Sequence, residues 1–218
     1  MMTQANEKNQ IPFMRKLVIP MIAGGLTGFI SSFAITYNMD GWFGETASLS
    51  RQIAAVVGGL YMVIAIGVGV GAASPALGEK YLNTEDADEI LEMRNVLLNS
   101  GAAMALWGAA LILLAFAAPD GPIPTMVALL GAVAMFAVGS WLGWRSHKAS
   151  DELFVAVNME ATVWAYVSTV IIGGGCMVGA HLGLMPALAP LDWLTLIYVV
   201  GLASSFISTG RRGMLKIK

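Results

Sequence analysis

Few side chains in this sequence have the types and spacing that metal binding requires. His147 and Asp151 are four residues apart, a spacing that puts two side chains on one face of a helix, and Glu152 follows directly. A metal site needs three or four such ligands, and no second histidine lies nearby. Ser150 is a favoured N-cap residue, so the helix is predicted to begin after His147. The sequence therefore predicts no metal site here.

Enzyme motifs are also missing. The chain contains no Gly-x-Ser-x-Gly elbow, no zinc signature and no phosphate-binding loop, since the glycines of GVGVG lie in an apolar run without a preceding strand. No residue has the surroundings of a nucleophile or a general base. We expect no catalytic residue, which favours a protein that is not an enzyme.

The amino-acid composition indicates whether the chain is surrounded by water or by lipid. Of 218 residues, 57% are hydrophobic and 12% are charged, and the mean hydropathy is +0.72. Soluble domains have roughly 45–50% apolar and about 25% charged residues. A net charge of −2 gives no reason to expect nucleic acid as a partner. The chain is predicted to lie in a lipid bilayer, which is then its first partner.

Six apolar runs are long enough, or nearly so, to cross a bilayer as helices. They comprise residues 17–37, 53–73, 98–118, 125–144, 161–181 and 194–209. The predicted fold is an all-α, polytopic bundle of six transmembrane helices in antiparallel hairpins, over residues 17–210. Residues 1–16 form a polar lead, and the first run is too long for a cleaved signal peptide. Residues 211–218 form a basic tail.

The basic residues predict the orientation, because Lys and Arg accumulate on the cytoplasmic side of a membrane. With the N-terminus inside, eleven of the twelve basic residues face the cytoplasm, and only Arg51 lies outside. Both termini are then cytoplasmic. His147 and His181 fall on opposite sides, so they cannot ligate one haem, and no predicted span holds a lysine for a retinal Schiff base. We expect no cofactor.

Two acidic segments precede apolar runs. Ser150, Asp151 and Glu152 are predicted to start a helix in the cytoplasm, because negative charge is favourable at a helix N-terminus. A shift of 63 residues aligns DELFVAVN with DEILEMRN, an alignment that leaves a repeat of helical hairpins and coincidence both open. Glu160 then lies at the inner membrane boundary near Arg94, which makes an Arg94–Glu160 ion pair a candidate link between two spans. Alternatively, both side chains reach separately into water.

The last span carries hydroxyl groups at helical spacing. Tyr198, Gly201, Ser205 and Ser208 are predicted to share one face, which either bonds to a neighbouring helix or lines a polar path. Pairs of glycines four residues apart, such as Gly175 and Gly179, allow close helix contacts. No charged residue lies within a predicted span, which argues against a proton-coupled carrier.

The C-terminal part, residues 150–213, has a recognisable order of features. DEL is followed by Glu160, a Gly-rich span, the outer turn LMPALAP, a last span and RRG. In this order it resembles small uncharacterised bacterial inner-membrane proteins. The resemblance implies a bacterial cytoplasmic membrane, although VAV stands at residues 155–157, where basic residues commonly follow the acids.

Three functions remain open from the sequence. The first is an accessory or oligomeric membrane protein that acts through helix contacts with itself or with a membrane-protein partner. The second is a facilitator or carrier of a small neutral or amphiphilic molecule, with the Tyr198–Ser208 face along its path. The third is a membrane enzyme that acts on a lipid headgroup at the cytoplasmic face.

Overall fold

The structure is a computed structural model that describes residues 48–74 and 87–212. Within these ranges every regular element is a helix, as the sequence predicts. The helices are α1 (Leu49–Ala73), α2 (Ala87–Ala115), α3 (Thr125–Ala149), α4 (Glu152–His181) and α5 (Pro190–Arg211). The predicted first span, residues 17–37, lies outside the described residues.

All five helices are long and apolar enough to cross a membrane, with mean hydropathies of 1.6 to 2.4 in their most apolar stretches. Each overlaps one of the predicted spans. Several extend further, since α3 continues to Ala149 and α4 begins at Glu152. The added residues of α3 are mostly polar, whereas those of α4 are a mixture of polar and apolar residues. Hydropathy marks only the part of a helix that suits lipid, whereas backbone hydrogen bonding continues into water.

The connection between α3 and α4 consists of Ser150 and Asp151 alone. Asp151 is the N-cap of α4, because its Oδ1 accepts a hydrogen bond from the Phe154 amide at 2.8 Å. The prediction of Ser150 as the N-cap is therefore wrong by one residue. Ser150 closes α3 instead, and its hydroxyl donates to the Ser146 carbonyl at 2.9 Å.

The other two described connections are fixed by local hydrogen bonds. Between α2 and α3, the amide of Ala118 donates to the carbonyl of Ile123 at 2.8 Å. After α4, Gly183 has a φ of 71°, a left-handed conformation that commonly ends a helix and favours glycine. The α5 helix begins at Pro190, and the Asp192 carboxylate accepts the Ala189 amide at 2.9 Å.

The helices pack in an order that differs from their order along the chain. The central helix is α2, which packs along α1 and α3, while α5 packs on α1 and α4 and touches α2. Neighbours in each hairpin are antiparallel. One end of the bundle therefore holds Arg51 and the α2–α3 turn, and the other holds the α3–α4 turn and Arg211. These are called the Arg51 end and the Arg211 end below.

The tightest contact joins α1 and α2. A Cβ atom added to Gly108 would lie 2.7 Å from the Gly58 carbonyl oxygen, and one added to Gly58 would lie 2.7 Å from that of Gly108. The two backbones therefore touch directly, as small residues permit in membrane helices. The buried core around this contact contains Ala54, Ala55, Val57, Tyr61, Leu111, Ala115 and Tyr198.

Candidate functional site

Two buried tyrosines connect the three central helices. The Tyr198 hydroxyl of α5 donates to the Trp107 carbonyl of α2 at 2.8 Å. The Tyr61 hydroxyl of α1 donates to the Tyr198 carbonyl at 2.9 Å. The two tyrosine rings also pack together, with centroids 4.9 Å apart at an angle of 56°. Each hydroxyl satisfies a hydrogen bond away from water, so this cluster holds α1, α2 and α5 in one arrangement.

The structure separates the other members of the predicted polar face. Ser208 is fully buried, whereas Ser205 is exposed and its hydroxyl donates to the Gly201 carbonyl of its own helix at 2.9 Å. Ser204, which does not belong to the predicted polar face, is buried in place of Ser205. The buried residues of α5 do not lie on one face, because the helix packs on α1 and α4 and also touches α2.

Arg51 is the basic residue predicted to lie outside the cytoplasm, and the structure gives it a structural role. Its side chain is buried, with Nε donating to the Ala115 carbonyl at 2.6 Å and Nη2 donating to the Ala117 carbonyl at 2.7 Å. Its Nη1 also lies 3.9 Å from a carboxylate oxygen of Asp120. The last carbonyls of α2 lack helical partners and carry partial negative charge, which a guanidinium neutralises. In the sequence, the only indication of this role is that Arg51 is the single basic residue predicted to lie outside the cytoplasm.

Glu160 is ion-paired, but with other partners than the one predicted. Its Oε2 lies 2.9 Å from Nε of Arg212, and its Oε1 lies 3.9 Å from Nε of Arg211. The guanidinium of Arg211 also stacks on Trp164, 5.5 Å from the ring centroid. The pair therefore joins α4 to α5. The predicted Arg94–Glu160 pair is not formed, because Arg94 lies on α2 and α4 packs against α5 instead.

The candidate ligand residues do not assemble into a metal site. Within residues 48–74 and 87–212, no three His, Cys, Asp or Glu side chains come together. Asp151 is engaged at the N-terminus of α4, and His147 belongs to the preceding helix. His181 is the exposed last residue of α4, at the opposite end of the bundle from His147.

These polar groups are arranged to hold helices together. The tyrosine cluster joins α1, α2 and α5, Arg51 caps α2 from α1, and Glu160 joins α4 to α5. In addition, the Ser146 hydroxyl of α3 donates to the Val96 carbonyl of α2 at 2.9 Å. Comparison with protein-family models, curated proteins and solved structures gives no match for this chain.

Proposed function

We propose that the protein is a non-enzymatic integral protein of the bacterial cytoplasmic membrane that acts through helix contacts, as an accessory subunit or a homo-oligomer. The five apolar helices and the large number of exposed apolar side chains support insertion into a bilayer. The internal polar contacts support the contact function over a solute path, since Tyr198 bonds to a neighbouring helix rather than lining an open groove.

The observation that carries the proposal is the exposure of α4. Only 6% of the residues in its most apolar stretch are buried, against 33% in α1 and in α2. The buried residues of this 30-residue helix are Val157, Ala161 and Gly173. Lipid can cover apolar side chains, but it gains nothing from glycine, which instead lets a second helix approach closely.

One face of α4 has the composition of a helix contact. Val167, Ile171, Gly175 and Val178 are spaced so that they share this face, and all four are exposed. We name it the α4 outer face. A Cβ atom added to Gly175 or to the adjacent Gly174 would meet no described residue within 4 Å. The partner we propose is an apolar helix, from a second copy or another membrane protein, that packs against these glycines.

The orientation belongs to the same proposal. With six spans and both termini in the cytoplasm, the Arg211 end faces the cytoplasm and the Arg51 end faces outwards. A reporter fused after Gly121, in the α2–α3 turn, is expected to behave as periplasmic, and one fused after Lys148 as cytoplasmic. The reverse pattern would overturn the orientation and leave the helix contacts to be judged separately.

Assembly is tested by native mass spectrometry of the protein extracted gently from its own membrane. We expect a defined homo-oligomer or a stoichiometric protein partner. Gly175→Leu should disrupt that assembly, because a leucine would occupy the space that the partner helix needs. Gly67→Leu is the matched control, since Gly67 on α1 has equally open surroundings. A monomer in the wild type, or equal effects of both variants, would refute the proposal.

A further inference from the structure

The Arg211 end of α3 carries a face that the helix contacts do not use. Trp141, Trp144, Arg145 and Lys148 follow the spacing i, i+3, i+4 and i+7, which places them on one side of the helix. We name this set the basic-aromatic face. Both tryptophans are about half exposed, at 52% and 55%. Ser146, which is buried and bonded to Val96 of α2, lies on the opposite side, so the face points away from the bundle.

Both cations of this face lie over its aromatic rings. Nζ of Lys148 is 4.1 Å from the ring centroid of Trp144, and Cζ of Arg145 is 5.6 Å from that of Trp141. Such contacts hold a cation through the negative face of the ring without neutralising its charge. Tryptophan favours the level of the lipid headgroups, where its apolar body and its N–H group are both satisfied. The two positive charges are therefore held at headgroup level.

No carboxylate among the described residues forms an ion pair with either cation of this face. Among the described residues, the ion pairs of Arg211 and Arg212 end on Glu160, while Arg145 and Lys148 form none. Carboxylates are close along the chain, since Asp151 and Glu152 follow Lys148 by three and four residues. Asp151 is engaged as the N-cap of α4. Two cations thus remain available to an anion at the membrane surface.

The surface beyond the tryptophans suits the rest of a lipid molecule. Ala137, Ala134 and Leu130 continue the same side of α3 toward the Arg51 end, and all three are exposed. The exposed surface directly below the charged groups is therefore apolar. An acyl chain could lie there while its phosphate meets the guanidinium and the ammonium, which bind phosphate by charge-assisted hydrogen bonds.

We propose that the basic-aromatic face binds the headgroup phosphate of an anionic phospholipid. The inference rests on the membrane insertion proposed above, but not on assembly through α4. Attraction to an anionic leaflet also agrees with the proposed cytoplasmic orientation of the Arg211 end, where such lipid and basic residues meet. The lipid would anchor the end of α3 that is linked to α4 by two residues only.

The experiment is native mass spectrometry of the full chain after reconstitution in nanodiscs containing equal amounts of phosphatidylglycerol and phosphatidylcholine. We expect the released protein to retain more phosphatidylglycerol, the anionic lipid, than phosphatidylcholine. The double variant Arg145→Gln/Lys148→Gln should lower that preference roughly thirtyfold, the amount expected for two basic residues at an anionic surface. The matched control is Arg211→Gln/Arg212→Gln, which removes two cations already paired with Glu160 and should keep the preference.

The result that would overturn the lipid site is equal retention of both lipids by the wild type, or an unchanged preference in the double variant. The same spectra report the number of chains in each particle. A monomer that retains anionic lipid would refute the homo-oligomer and keep the lipid site, whereas an oligomer without lipid preference would do the opposite. Both substituted residues are exposed, and intrinsic tryptophan fluorescence checks that the variants are folded.

Discussion

The α2–α3 and α4–α5 hairpins begin alike and end in different surroundings. Each has an Asp-Glu pair at the start of its first helix, followed by a turn and a returning helix, and the first helices have similar mean hydropathies of 1.8 and 1.6. Yet α2 lies at the centre of the described bundle, and α4 lies at its edge. Hydropathy therefore identifies a helix that suits a membrane without indicating whether protein or lipid will surround it.

The difference lies in where the small residues find partners. Gly108 of α2 meets the backbone of α1, and Gly101 of α2 faces Ala65 and Val68 of the same neighbour. On α4, Gly173 is covered by Trp193 of its own hairpin, whereas no described residue lies within 4 Å of a Cβ added to Gly174 or Gly175. The glycines of α2 therefore pack against a neighbouring helix, whereas two glycines of α4 remain without such a contact among the described residues. This contrast supports an assembly surface on α4.

The largest expected effect is at the α1–α2 contact. Gly108→Leu should destabilise the fold by ~3 kcal/mol or more, since a side chain there would collide with the Gly58 carbonyl, which belongs to the backbone and cannot turn away. Gly175→Leu should change monomer stability by less than ~0.5 kcal/mol while affecting assembly. Denaturant unfolding of both variants in the same detergent provides the measurement. Equal losses of stability would remove the contrast between the two hairpins.

The cap on α2 should come next. Arg51→Met removes the donors to the carbonyls of Ala115 and Ala117, and hydrogen bonds from charged groups contribute about 1.5–3 kcal/mol each. Because both bonds come from one guanidinium, their contributions are not additive, and we expect a total loss of about 2–3 kcal/mol, measured by thermal unfolding. Arg94→Met is the control, since Arg94 is an exposed arginine on α2 itself. If the two variants had the same stability, Arg51 would not be a cap.

A smaller effect is expected at the tyrosine cluster. Tyr198→Phe keeps the ring and removes one interhelical hydrogen bond, which between membrane helices is worth about 0.6 kcal/mol on average. Tyr166→Phe, at a side chain that is 72% exposed on α4, should have no effect on unfolding. An unchanged Tyr198 variant would show that packing of the ring, rather than its hydroxyl, joins α5 to α2.

The smallest effect is expected at the ion pair of the outer hairpin. Glu160→Gln removes the partner of Arg212 at the Arg211 end, where an exposed pair contributes about 0–1 kcal/mol. The effect should decrease as salt is added, because screening weakens exposed charges. Unfolding at low and high salt measures it. A loss of several kcal/mol, independent of salt, would mean that the α4–α5 contact depends on this pair more than its exposure suggests.

The sequence was sufficient for the helical class and for the five spans that the structure describes, because apolar runs of this length leave few alternatives in a bilayer. It was insufficient for contacts between helices. The Arg94–Glu160 prediction assumed that α2 and α4 are neighbours. The Ser205 prediction assumed that α5 contacts its neighbours along one face only. Correct predictions of these contacts would require the packing order and the crossing angles of the helices. These depend on how side chains from distant parts of the chain fit together, and not on the local sequence pattern.

The most direct test of an assembly surface on α4 is photo-cross-linking in native membranes from a reagent attached to a single introduced cysteine, with Cys176 replaced by Ala. Ile171→Cys on the α4 outer face is compared with Leu130→Cys on α3, positions that are 68% and 65% exposed. Assembly through α4 predicts a cross-linked product of defined mass from the first variant and none from the second. No product from Ile171→Cys, or equal products from both positions, would contradict the account.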